Sequence, residues 1–187
     1  MKKHILLSIL AGIGVSALAM SNVGATVPDR SLQVVIIRHG EKPESGDNLS
    51  CQGEHRALQL PAVLNRKFKV PDHIYVPSLG LGRSTTHARM FQTVTPFAVK
   101  HNLAVNSEFA AKDYSRIADR VLKNTGTVLI VWEHSAIPRL ARELGVNDPP
   151  LWKGKDFDSI WVITFTTGKA SLSIDKQGID PSPACNF

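Results

Sequence analysis

Residues 33–40 read Gln33-Val34-Val35-Ile36-Ile37-Arg38-His39-Gly40, four β-branched apolar residues in succession bounded by polar ones. No polar position interrupts the run, which is the pattern of a strand covered on both faces, as in a parallel sheet. Parallel strands need crossover connections, usually helices, so the flanking sequence should alternate between the two periods.

It does. A helix is predicted from a Ser50 cap, with Ala57, Leu60 and Leu64 at helical spacing and Pro61 expected to kink it. Residues 73–76 read as a second strand, and a loop with Gly80 and Gly82 leads into a helix carrying Arg89, Phe91 and Val94. A short strand around 103–105, a helix over 114–122, a nearly all-apolar strand at 127–132 and a helix over 137–144 follow, the last stopped by Gly145. Residues 159–165 and 170–174 flank Thr166-Thr167-Gly168-Lys169, which predicts a closing hairpin. The sum is an α/β three-layer sandwich with a mainly parallel sheet and helices on both faces.

Upstream, Met1-Lys2-Lys3-His4 precedes an apolar run from Ile5 to Met20, shorter than a membrane span needs. This reads as a secretory leader over residues 1–25. Small-residue cleavage sites stand at Ala17-Leu18-Ala19 and Val23-Gly24-Ala25; the second is preferred, and it leaves one domain over 26–187. A periplasmic or secreted protein is expected, with no membrane span once the leader is removed. The formal charge of +6 falls to +4 without Lys2 and Lys3. That excess suits anionic ligands, but the basic residues are scattered and form no stripe with interleaved aromatics, so no nucleic-acid partner is expected. Cys51 and Cys185 are the two cysteines. In an oxidising compartment they can bridge and pin the tail, or remain free; two isolated cysteines make no zinc site.

Ligands of open α/β sheets bind beyond the carboxyl ends of strands, where the strand order reverses. Arg38-His39 and Glu133-His134 follow the first and fourth strands. Either histidine alone would read as an ordinary surface or core residue; two in matching places, one beside an arginine, point to a site.

Arg38-His39-Gly40-Glu41-Lys42-Pro43 resembles the RHG signature of the histidine phosphatase superfamily, also called phosphoglycerate-mutase-like, and its bacterial phosphatase branch in particular. The similarity continues in order through Leu49-Ser50, Gly53, Arg56-Ala57, Arg89 with Gln92-Thr93, and Trp132-Glu133-His134-Ser135. The resemblance implies that His39 is the nucleophile, passing through a phosphohistidine intermediate, with Arg38, Arg89 and His134 holding the phosphoryl oxygens. Two arginines suit that task, because the guanidinium fork donates bidentately to phosphate and stays charged. It implies no metal and no cofactor. The family's proton donor comes from the segment between Arg89 and His134, where Glu108 is preferred to Asp113 and Asp119. Lys42 and Arg83 are candidate substrate-binding residues at the mouth, with Ser84 and His87 nearby.

The segment between Arg89 and His134 is too short for the long insert of a mutase, so hydrolysis is the expected reaction. The substrate would be a small or envelope-derived phosphomonoester, such as a sugar phosphate or a phosphorylated lipopolysaccharide core. A phosphohistidine protein phosphatase is the alternative enzyme. A phosphate-ligand binding module without catalysis is the alternative of another class. Oligomeric state is left open.

Overall fold

The computed structural model describes residues 31–80, 82 and 84–187. The leader expected over 1–25, and Arg83, lie outside the described residues. The elements run β1 (Gln33–Arg38), α1 (Cys51–Phe68), β2 (His73–Tyr75), α2 (Ala88–His101), β3 (Val105–Asn106), α3 (Tyr114–Val121), β4 (Thr127–Trp132), α4 (Ile137–Glu143), β5 (Ser159–Thr166) and β6 (Lys169–Lys176).

One six-stranded sheet has the order β3-β2-β4-β1-β5-β6. β3, β2, β4 and β1 are parallel, whereas on the far side of β1 strand β5 pairs antiparallel with β1 and β6 pairs antiparallel with β5. The fold is therefore an α/β sandwich with a mostly parallel sheet. Because successive side chains point to opposite faces, β1 sends Val34 and Ile36 into one core and Val35 and Ile37 into the other. The first core is completed by Ile117 and Val121 of α3 and Ile137 and Leu140 of α4. The second is completed by Leu60 and Leu64 of α1 and Val94 and Phe97 of α2. Both faces of β1 are thus buried, as its unbroken apolar run required.

Local chemistry fixes the boundaries. Ser50 caps α1 by accepting from the Gly53 N–H at 3.2 Å, and the helix continues two turns beyond Pro61. β3 begins at Val105, later than the apolar run suggested. α2 closes through Asn102 at φ 51°, and the Leu103 N–H is spent on the Ala98 carbonyl at 2.9 Å, so Leu103 cannot enter the sheet. The hairpin between β5 and β6 turns through Thr167 and Gly168, at φ 49° and 78°, as a two-residue hairpin loop requires. Beyond β6 the tail folds back over the start of α1. Cys185 is bonded to Cys51, and the His55 ring donates to the Ala184 carbonyl at 2.9 Å. No helix among the described residues is long and apolar enough to cross a membrane.

Candidate active site

β4 lies between β1 and β2, so the chain reverses its winding beside β1, and the C-terminal ends of β1 and β4 come side by side with Arg38 opposite Trp132. The His39 N–H donates to the Trp132 carbonyl at 3.2 Å, a last rung before the strands part. Arg38-His39 and Glu133-His134 therefore emerge at one edge of the sheet, although 94 positions separate the two histidines.

His39 is buried, with its Nδ1 2.7 Å from the Gly40 carbonyl oxygen. A carbonyl only accepts, so Nδ1 carries the proton and Nε2 keeps its lone pair. Burial pushes the ring down to about 4, opposed by the Gly40 carbonyl and reinforced by Arg38, Arg89 and His134 in that order. Desolvation outweighs the arginines to which the sequence pattern alone would assign this effect. The imidazole is neutral at pH 7 and carries a free ring nitrogen.

The peptide after His39 is held from several sides. The Gly40 N–H donates to Thr93 Oγ1 at 2.9 Å, and the Thr93 hydroxyl donates onward to the Arg89 carbonyl at 2.7 Å. A Cβ on Gly40 would meet the Gly53 carbonyl oxygen at 2.8 Å, so only glycine permits this approach of the loop to α1. The Glu41 carbonyl accepts from the Ser50 N–H at 2.9 Å, and its carboxylate is gripped by the buried Arg56, with Nη2–Oε1 at 2.7 Å and Nε–Oε2 at 2.9 Å.

Arg38 is also buried. Its Nη1 donates to the Gly154 carbonyl at 2.7 Å, and its Cζ lies 3.7 Å from the centre of the Phe157 ring. Its Nε is buried with no hydrogen-bond partner among the described residues. Burial pushes the guanidinium down to about 10, which still leaves it charged at neutral pH. Arg89 is half-buried and spends Nη1 on the Gly46 carbonyl at 2.9 Å. His134 stands across the corner, where a Cβ on Gly154 would come within 3.7 Å of its Nε2. Burial lowers its pKa first, and then Arg38; Glu133 opposes and Lys42 adds to the lowering. Arg38, Arg89 and His134 each lower the His39 pKa, so all three lie within electrostatic reach of its ring.

The peripheral candidates are placed less favourably. Lys42 is exposed, within electrostatic reach of His134, and lines an open groove with Glu44, Gln52 and Pro183. Ser84 is exposed, and His87 enters α2 at φ 60°. Glu108 pairs with Arg120 at 3.5 Å, both about half exposed, and Asp113 pairs with Arg116 at 3.1 Å. Among the described residues no hydrogen bond or ion pair joins Glu108, Asp113 or Asp119 to the corner of Arg38 and His39. Nor is any group of three or more His, Cys, Asp or Glu there arranged to hold a metal ion.

Sequence reasoning missed the segment from Gly154 to Asp158. It supplies the carbonyl that holds Arg38 and the ring that lies over it, but main-chain acceptors leave no mark in residue type. The one available signal was an aromatic, Phe157, inside the otherwise polar stretch 153–158. Gln177 and the acceptor role of Thr93 were missed too.

Solved structures repeat this arrangement of elements. The protein histidine phosphatase SixA complexed with tungstate superposes with a TM-score of 0.57 at 18% identity, covering 78% of this chain and 97% of that one. Phosphoserine phosphatase of Entamoeba histolytica in complex with 3-phosphoglyceric acid gives a TM-score of 0.53 at 14% identity, over 78% of this chain and 97% of that one. The chain has the histidine phosphatase fold. Alpha-ribazole phosphatase from Shigella flexneri shares that fold with a TM-score of 0.52 at 15% identity, over 83% of this chain and 98% of its own. No protein-family model matches the chain, and no curated protein does.

Proposed function

We propose that this protein is an exported, metal-independent phosphomonoesterase that works through a phosphohistidine on His39. The observation that carries the reading is the pairing of a neutral, buried His39 with the buried Nε of Arg38 next to it, which has no partner among the described residues. A buried donor without a partner costs free energy unless a ligand supplies the acceptor. A phosphate oxygen is such an acceptor, and His39 Nε2 is the lone pair that would attack its phosphorus.

In the first step the Nε2–P bond forms as the bond from phosphorus to the leaving oxygen breaks, and the departing alkoxide takes a proton. In the second, water forms a P–O bond while the N–P bond breaks, and inorganic phosphate leaves. Arg38, Arg89 and a His134 that takes a proton from solvent when the dianion is bound would meet the charge spread over the equatorial oxygens. Their fixed positive donors make a metal unnecessary. Lys42 would meet the rest of a small or envelope-derived phosphomonoester, and Arg83, outside the described residues, is proposed as a second contact on its sequence position alone. Export rests on the leader over residues 1–25, and the Cys51–Cys185 bond fits an oxidising compartment.

The proton donor is where a second reading gains support. Glu41 and Asp156 near the corner are occupied by Arg56 and Ser159, and Glu108 and Asp113 sit in exposed ion pairs. Glu108 remains the proposed donor, and it would have to leave Arg120 to serve. Without such a donor the site favours leaving groups that depart unaided, such as a phosphorylated imidazole, which is the chemistry of a phosphohistidine protein phosphatase.

Turnover of p-nitrophenyl phosphate that survives EDTA and is blocked by tungstate is expected. Tight phosphate binding without turnover would favour the binding module, and loss of activity on chelation restored by zinc or magnesium would overturn the mechanism. A high ratio of aryl to alkyl phosphate turnover, with Glu108→Gln indistinguishable from wild type, would select the second reading. N-terminal sequencing of envelope protein should begin near Thr26; an intact Met1 on cytoplasmic protein would overturn export.

A further inference from the structure

We propose that Gln177, a buried amide outside the phosphate site, is the positioning residue that ties the two halves of that site together. The inference rests on the phosphatase reading of His39 given above.

Gln177 directly follows β6 and is 2% exposed. Its Oε1 accepts from Arg56 Nη1 at 2.8 Å, its Nε2 donates to the Phe157 carbonyl at 2.9 Å, and its main-chain N–H donates to the Asp158 carbonyl at 2.7 Å. A guanidinium can only donate and a carbonyl can only accept, so the side-chain amide has a single workable orientation.

The two ends of that amide reach different parts of the site. Through Arg56 it reaches the Glu41 carboxylate, and Glu41 is joined to Gly40, whose carbonyl sets the tautomer of His39. Through Phe157 it reaches the ring that lies 3.7 Å from Arg38 Cζ, on the segment whose Gly154 carbonyl holds Arg38 Nη1. One side chain thus braces both the peptide that frees the nucleophilic nitrogen and the wall that orients the first arginine. The brace is itself fixed. Asp158 Oδ1 accepts from the N–H groups of Gly178 and Ile179 at 2.8 and 3.3 Å, and the tail is bonded to α1 through Cys51–Cys185.

A merely structural glutamine would, when replaced, lower stability and reduce every activity parameter together. The brace predicts that the two arms separate. In the full-length oxidised protein, Gln177→Met removes both arms. It should lower kcat on p-nitrophenyl phosphate about 10- to 100-fold, the cost of small misplacement at a reacting centre, and weaken tungstate binding about tenfold. Gln177→Glu keeps the acceptor for Arg56 and loses the donor to Phe157. It should weaken tungstate by the same factor and lower kcat less than Gln177→Met does, because only Arg38 loses its support while the peptide after His39 stays held.

The ring nitrogens of His39, identified by their loss in His39→Asn, give a readout independent of turnover. Their Nδ1–H tautomer signature should average out in Gln177→Met and persist in Gln177→Glu. If Gln177→Met does not fold, Gln177→Glu alone decides: weakened tungstate binding with the His39 Nδ1–H signature kept is expected, whereas wild-type tungstate affinity or loss of that signature overturns the brace. Wild-type tungstate affinity and wild-type His39 signals in both variants overturn it as well. Should the wild type hydrolyse no phosphomonoester, the phosphatase reading falls separately, while tungstate affinity and the ring signals still test the brace.

Discussion

The environment of His39 can be read as a stability curve. Folding takes the ring from 6.5, its value in the unfolded chain, down to about 4, chiefly by desolvation. Between those two values the unfolded chain binds more protons than the native protein, so stability rises with pH. The penalty is absent above the unfolded value, grows as pH falls from 6.5, and is complete at about 4, where both states are protonated. At 1.36 kcal/mol per unit, a difference of about two and a half units costs about 3 kcal/mol, a large share of a domain's net stability. Urea unfolding at steps between pH 4 and pH 7.5 should measure it. His134 and Asp156 are also lowered and tilt the wild-type curve in the same direction. The comparison that isolates His39 is therefore wild type against His39→Asn, which cannot titrate there. The wild type should lose about 3 kcal/mol more than the variant on going from neutral pH to pH 4. Parallel curves would refute the claim that burial keeps His39 neutral.

Further consequences follow from the packing around the nucleophile. Alanine normally improves a helix by about 1 kcal/mol over glycine. Gly53→Ala should do the reverse, because its Cβ would collide with the Glu41 carbonyl oxygen, and a higher melting temperature with full activity would contradict that geometry. Thr93→Val leaves the buried Gly40 N–H without its acceptor and should cost about 1–3 kcal/mol in urea, with a fall in kcat; an unchanged unfolding midpoint would count against this anchor. Cys51 and Cys185 close a loop of 134 residues, worth up to about 5 kcal/mol by chain entropy. Both thiols should therefore resist alkylation until reduced, and reduction should lower the unfolding midpoint clearly.

Much of the fold was legible because it rests on apolar continuity. β1 and β4 are buried on both faces, so their sequences carry no polar interruptions, and each ends on the residue before its histidine or one short of it. β3 was misplaced by two residues because the Leu103 N–H was claimed by the end of α2, a competition that apolarity does not reveal. Strand order was not legible either. The insertion of β4 between β2 and β1, which brings His134 to His39, is decided by crossover topology and by pairing partners with no local signature. In the candidate site, the four charged or titratable side chains stood out in the sequence because phosphate chemistry would call for their types. The contacts that aim them, the carbonyls of Gly40 and Gly154 and the amide of Gln177, are main-chain or neutral groups that any sequence could supply. Glu108 shows the converse: its residue type fits a proton donor, but its carboxylate faces Arg120.

The central claim is that His39 carries the phosphoryl group. Rapid quenching of the full-length protein a few milliseconds after mixing with a labelled phosphomonoester, followed by peptide mapping, tests it most directly. An acid-labile, base-stable label on the peptide containing His39, absent in His39→Asn and formed more slowly in His134→Ala, is the predicted result. Label on His134, or turnover at the wild-type rate by His39→Asn, would contradict the account.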